Sequence, residues 1–215
     1  MEISAEMVRK LREVTGAAMM DCKRALVEAQ GDGEAAKEIL RKKGLAAAAN
    51  RVGRTASEGV VGSYIHHNGK TGVLVEVNCE TDFVAKTPDF QTLVKDIAMH
   101  VAAGSPAVAL YVSKEEVPAE VVAKEKDIYR AQAAAQGKPP AVVDKIAEGK
   151  LKEYYQTFCL LEQPSVKDPK LTVGQLVQEK IAVIKENIVV RRFARFRLGE
   201  ETAARKPAEG EAVPV

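Results

Sequence analysis

No tryptophan occurs in the 215 residues, and phenylalanine and tyrosine number five each, so any ring that a turn exposes is informative. The three cysteines, Cys22, Cys79 and Cys159, are odd in number and widely spaced, which excludes a disulfide framework and predicts a reducing, cytoplasmic setting. No apolar run approaches the roughly 20 residues that span a bilayer. The amino end, "MEISAEMVRKLREV", interleaves charge as no export signal does, so no membrane partner is expected. Charge of one sign is also missing: 32 Lys and Arg oppose 30 Asp and Glu. Bulk electrostatics therefore predicts no direct nucleic-acid partner. Of three histidines, His66 and His67 are adjacent and point to opposite faces of a strand, while His100 lies far along the chain, which excludes a histidine metal site. Neither G-x-S-x-G, a Walker loop nor G-x-G-x-x-G is present. The sequence thus predicts no enzyme, no cofactor and no metal.

What is present, with 46% hydrophobic residues, suffices for a real core. Residues 1–50 read as three short helices joined at glycines, a bundle of the ubiquitin-associated (UBA-like) type. Ser4 caps the first, whose stripe is Ile3, Met7, Leu11 and Val14; Thr15-Gly16 stops it. The second places Ala18, Cys22, Ala25 and Ala29 on one face and ends at Gly31. Asp32 caps the third, which carries Ala36, Ile39 and Leu40 and ends at Gly44. Its basic residues, among them Arg9, Lys10, Lys42 and Lys43, are interleaved with acids, which suits a solvated surface better than a nucleic-acid patch.

Residues 51–58 read as a linker. A hairpin follows, with Asn68-Gly69 suited to a type I′ turn and Val73, Val75, Val77 and Cys79 alternating onto one buried face. Thr87 and Pro88 open a helix whose stripe is Phe90, Leu93, Val94, Ile97 and Val101. Segment 107–112 reads as a short extended piece, and Ser113 with Glu116 as a capping box over a single helical turn. Two long helices broken by "QGKPPA" follow, with stripes Val121, Ile128, Gln132, Ala135 and Val143, Ala147, Leu151, Tyr154, Phe158 narrow enough for an antiparallel coiled coil projecting from the body. Thr172 and Gln175 make a second capping box, and "NIVVRRFARFRLG" a last strand closing the sheet. The class expected is α+β: a three-helix UBA-like module, a small antiparallel sheet packed with helices (59–118 and 171–199), a helical coiled-coil arm (119–170) and a disordered tail (200–215).

Three places admit more than one reading. Cys159 follows a stripe residue, and is either inert or a crosslink between subunits. On the last strand Val189, Arg191, Phe193, Arg195 and Arg197 share one face, either a solvated outer row or an RNA-binding row lacking the glycines of the RNA-recognition signature. In "NCETDFVAKTPDF", Thr81 or Asp82 either caps a helix while Phe83 folds back on the hairpin, or Asp82 and Phe83 form a protruding wedge for a partner's pocket.

"VRKLREVTGAAMMDCKRAL" followed by "VLVEVNCETDFVAK" resembles the bacterial-type elongation factor Ts family, in its short form. The similarity continues through "IAMHVAAGSP", "QGKPPAVVDKIAEGKLKEYY", "LTVGQLV" and "NIVVRRFARF". The resemblance implies a factor that speeds GDP release from elongation factor Tu, binding its GDP form. It implies a wedge at Thr81, Asp82, Phe83 and Val84, entering near the partner's magnesium and phosphate loop. It implies a second contact through the N-terminal module at Val14, Thr15, Gly16, Met19 and Met20. Long members of the family carry two copies of the core repeat, whereas here the hairpin and "TDFVAK" of one copy run almost directly into "IAMHVAA" of the other; short forms can pair as homodimers to complete the core, so the resemblance admits a homodimer.

Overall fold

The computed structural model describes residues 3–200. The tail expected over 200–215 lies, apart from Glu200, outside them. Three helices open the chain: α1 (Ala5–Thr15), α2 (Met19–Glu28) and α3 (Gly33–Ala49). Ser4 Oγ accepts from Met7 N–H, and Asp32 Oδ1 from the Glu34 and Ala35 N–H groups, satisfying donors that a helix start leaves free. Gly16, at φ 66°, ends α1. Val8, Leu11, Cys22, Ala25, Leu26 and Ala36 form the module's core. The expected stripe of α1 is corrected at its end, because Val8 turns inward while Val14 is exposed. The third helix does not stop at Gly44: the alanines that follow propagate it to Ala49, and Ala48 enters the main core. Gly44 serves close packing instead, since a Cβ there would lie 3.0 Å from Ala182 Cβ on a later helix. Several basic residues of the module are paired on its surface, such as Lys10 with Glu6 and Lys42 with Glu38 one turn apart.

Strands β1 (Glu58–Ile65), β2 (Thr71–Cys79) and β3 (Ile188–Arg197) form an antiparallel sheet in that order, with β2 central. Val73, Val75, Val77 and Cys79 are buried as the alternation requires. The connecting turn is wider than type I′. His66 pairs with Thr71, Gly69 alone among the turn residues has positive φ, and Asn68 Oδ1 accepts from Lys70 N–H, an Asx contact that replaces a left-handed Asn. Helix α4 (Asp82–Ala85) is a single turn, and α5 (Pro88–Ala103) lays Phe90, Leu93, Val94, Ile97 and Val101 on the sheet. Burying Phe90 alone contributes about 1.5–3 kcal/mol.

A bulge overturns the expected basic row on β3. Glu76 pairs with Arg192 but Val77 with Val190, so Arg191 is left over and the faces exchange. Phe193 and Arg195 turn toward the buried face opposite Val75 and Val73, whereas Val189 and Arg191 are exposed.

Between α5 and the long helices, 107–112 makes only an isolated parallel bridge, Tyr111 to Cys159. Residues Lys114–Glu116 form one 3-10 turn, as the space before Pro118 allows, but without the expected box: Ser113 caps nothing, and Glu116 Oε2 accepts from Val112 N–H. Helices α6 (Ala119–Ala135) and α7 (Pro140–Phe158) pack on each other across a short turn, and Arg130 Nε bonds Asp144 Oδ1 at 2.7 Å. The α7 stripe holds, with Ala147 and Leu151 buried. That of α6 is displaced: Ala133 is buried and Tyr129 half-buried, while Ile128 and Gln132 face out. Helix α8 (Val173–Ile184) begins in the full Thr172–Gln175 capping box and ends at Lys185 with φ 68°.

Candidate partner-binding site

Leaving the sheet, β2 reaches its last ladder pair at Cys79 and Ile188. Beyond it the backbones diverge and side chains continue the pairing in register. Glu186 Oε2 accepts from the N–H groups of Glu80 (3.1 Å) and Thr81 (3.0 Å), and its Oε1 accepts from Thr81 Oγ1 (2.7 Å). In return Glu80 Oε1 accepts from Asn187 N–H at 2.6 Å, while Asn187 Nδ2 donates to Arg54 O at 2.7 Å. The Cys79 thiol donates to Thr81 O at 3.1 Å; burial and the nearby Glu186 charge push its pKa up and keep it protonated.

This frame sets α4. Thr81 Oγ1 accepts from Val84 N–H, so the hydroxyl that donates to Glu186 also caps the turn. Ala85 is buried and Val84 packs on the main core, which fixes the inner side of the turn. Asp82 and Phe83 occupy the outer side. The Phe83 ring is 79% exposed, so Thr81 is the cap of one reading while the ring does not fold back on the hairpin as that reading requires. Lys86 Nζ donates to Asp82 Oδ2 at 2.7 Å, and chiefly this bond holds the Asp82 carboxyl below the usual range. At neutral pH the turn therefore offers an ionised carboxylate beside an uncovered ring.

The N-terminal residues singled out in the sequence lie at the α1–α2 junction. Val14, Met19 and Met20 are exposed, at 68%, 56% and 63%. Thr15 and Gly16 shape the turn instead: Thr15 Oγ1 donates to Leu11 O and accepts from Ala17 N–H. A Cβ on Gly16 would lie 3.3 Å from Val183 Cγ1 of α8, so this turn packs on the end of α8. The turn after α8 draws the two groups together. Lys185 Nζ lies 3.9 Å from Asp21 Oδ2, Arg51 Nε donates to Lys185 O at 3.0 Å, and the next residue is Glu186. Sequence reading missed Glu80, Lys185, Glu186 and Asn187; only an extrapolated β2–β3 register would have set residue 186 opposite 81.

All three cysteines are buried and free, and the Cys159 thiol is pushed up to about 11, chiefly by burial, so it presents nothing for crosslinking at the surface. Among the described residues no cluster of three or more His, Cys, Asp or Glu is arranged to hold a metal ion, and no helix is long and apolar enough to cross a membrane.

Comparison with known proteins gives one answer. The family model described as Elongation factor TS matches residues 6–200. A protein of Acetivibrio thermocellus called elongation factor Ts is 61% identical over 198 residues, covering 92% of this chain and 91% of its own. Its namesake in Carboxydothermus hydrogenoformans is 58% identical over 204 residues, 95% of this chain and 93% of its own. That of Geobacter sulfurreducens is 59% identical over 200 residues, 93% and 91%.

Proposed function

The chain belongs to the elongation factor Ts family, and from this membership we propose that it is a guanine nucleotide exchange factor, binding the GDP form of elongation factor Tu and hastening GDP release during translation elongation. The observation that carries the reading is the exposed Phe83 beside an ionised Asp82 on a capped, externally anchored turn. In this mechanism the ring enters a gap between helices of the partner's nucleotide domain, and the carboxylate competes for the donors and cation that hold the phosphates. Thr81 and Val84 set the turn. Val14, Met19 and Met20 touch the same domain, with Thr15 and Gly16 shaping that contact. The α6–α7 pair and the far side of the core hold the rest of the partner.

An exchange factor leaves the free energy of replacing GDP by GTP unchanged and opens a faster route through a nucleotide-free complex. Burying one Phe ring contributes about 1.5–3 kcal/mol, or one to two decades in affinity. Full loosening of GDP therefore needs several contacts acting together. The test is release of fluorescent GDP from purified elongation factor Tu, with excess unlabelled GDP, across a titration of this protein. Strong acceleration is expected, with Phe83→Ala slowing exchange by roughly ten- to a hundredfold without abolishing it. A variant as fast as wild type would remove the wedge, and a folded sample that accelerates nothing would remove the function.

Pairing of two copies is part of the same reading. The sheet face away from α5 leaves Val61, Ile65, Leu74 and Phe196 exposed, an apolar surface of the kind that marks association. Sedimentation should find a dimer that Phe196→Asp dissociates, and a monomeric wild type at tens of micromolar would contradict this.

A further inference from the structure

We propose that Glu186, in the turn between α8 and β3, is the positioning residue for exchange: it holds the Asp82–Phe83 turn in its presented orientation. The inference rests on the wedge reading of Phe83.

A helix of one turn does not hold its own orientation, because nucleation fixes several dihedrals for a single hydrogen bond. What orients α4 must come from outside it. On the inner side Ala85 and Val84 supply packing. On the other side Glu186 gathers three donors, the N–H groups of Glu80 and Thr81 and the Thr81 hydroxyl, onto one carboxylate. Charge-assisted bonds of this kind are short and directional, and a carboxylate spanning two successive N–H groups defines the direction in which the chain leaves the strand. Thr81 then passes that direction on through its bond from Val84 N–H.

The same turn faces the other contact group. Lys185 ends α8 in the left-handed region and accepts from Arg51 Nε, and its ammonium lies beside Asp21, the residue after Met20. Asn187 closes the frame by donating to Glu80 Oε1 and Arg54 O. Three consecutive residues therefore tie the wedge, the linker and the N-terminal module to one another. Thr81 is exposed and Glu186 only half-buried, so loss of the carboxylate leaves its donors to water and disturbs orientation more than folding.

The test combines amide hydrogen exchange with a double-mutant cycle on the fluorescent-GDP assay. In Glu186→Ala the Glu80 and Thr81 amides are expected to lose protection while those of Val75, Val77 and Leu93 keep it. Nucleotide exchange should fall by roughly three- to tenfold, and Glu186→Gln, which retains one acceptor oxygen, should recover part of it. In a Phe83→Ala background the Glu186→Ala change should cost clearly less than it does in the wild type, because the orientation lost then serves only Asp82 and no longer a ring. Equal losses in both backgrounds, or wild-type exchange in Glu186→Ala, would overturn the positioning role. If Glu186→Ala fails to fold, the same cycle is read with Glu186→Gln, and equal losses overturn it again. If Phe83→Ala alone exchanges GDP as fast as wild type, the wedge reading fails and the positioning role falls with it.

Discussion

His100 is buried on α5, its Nε2 2.9 Å from Gln163 Oε1, while Nδ1 accepts from the Val166 N–H at 3.3 Å. The acceptor role at Nδ1 puts the single proton of the neutral ring on Nε2, where it donates to Gln163. A second proton would have to enter at Nδ1, against an N–H and inside the core. Burial accordingly lowers the His100 pKa, with the Gln163 bond opposing only in part. The unfolded chain then binds the proton more readily than the native one, so this contribution is complete above about pH 6.5 and is lost as pH falls through the depressed native value. Urea unfolding of wild type should lose stability relative to His100→Gln below that pH, at no more than about 1.4 kcal/mol per pH unit for one proton. Parallel stability curves for the two proteins would contradict it. The residues of the candidate site were unequally visible in the sequence. Thr81 was one of two cap candidates with Asp82, between which the structure decides for Thr81, and Phe83 stood out because rings are few. The anchor Glu186 did not, since an acid 105 residues away carries no local signal of its partner.

Elements whose one face is buried were legible because burial imposes a period. Helix α5 and strand β2 follow theirs without exception, and each cap at Thr87 and Thr172 is where its residue type places it. The failures lie where the period weakens. Tyr129 and Ala133 bring α6 against α7 in place of Ile128, because a helix lying on one neighbour needs only a narrow seam and the small Ala133 permits close approach within it. The bulge at Arg191 adds one residue to β3 and moves every later side chain to the other face, which alternation alone cannot register. The α6–α7 pair has a thin core, with Ala133, Ala147 and Leu151 buried, so helix propensity weighs heavily in it. Gly149 sits inside α7 with open space where a Cβ would stand. Gly149→Ala should therefore stabilise α7 by up to about 1 kcal/mol, read as greater amide protection along α7 and an unchanged sheet. A loss of protection there would contradict this.

At the scale of the whole molecule, exchange is a coupling between two ligands of one partner, and the coupling is symmetric. Whatever factor this protein applies to the affinity of elongation factor Tu for GDP, GDP must apply to its affinity for this protein. In the proposed reading the contacts that produce the factor are distributed: the Phe83 turn on one side, Met19 and Met20 on the other, with the Lys185–Asn187 turn bonded to both regions. A ring that merely added affinity equally to the GDP-bound and nucleotide-free partner would tighten both complexes and shift no equilibrium. For the proposed wedge to act, the ring must instead favour the nucleotide-free form. Titrations of this protein against elongation factor Tu, with and without saturating GDP, give the factor directly. Phe83→Ala should weaken binding to the nucleotide-free partner by roughly one to two decades and leave binding to the GDP form nearly unchanged, so that the ratio of the two affinities shrinks. GDP binding measured with and without each protein must return the same ratio. If Phe83→Ala weakens both complexes equally, the ring is an anchor, and the displacement of GDP has to come from the remaining contacts of the turn and the N-terminal module.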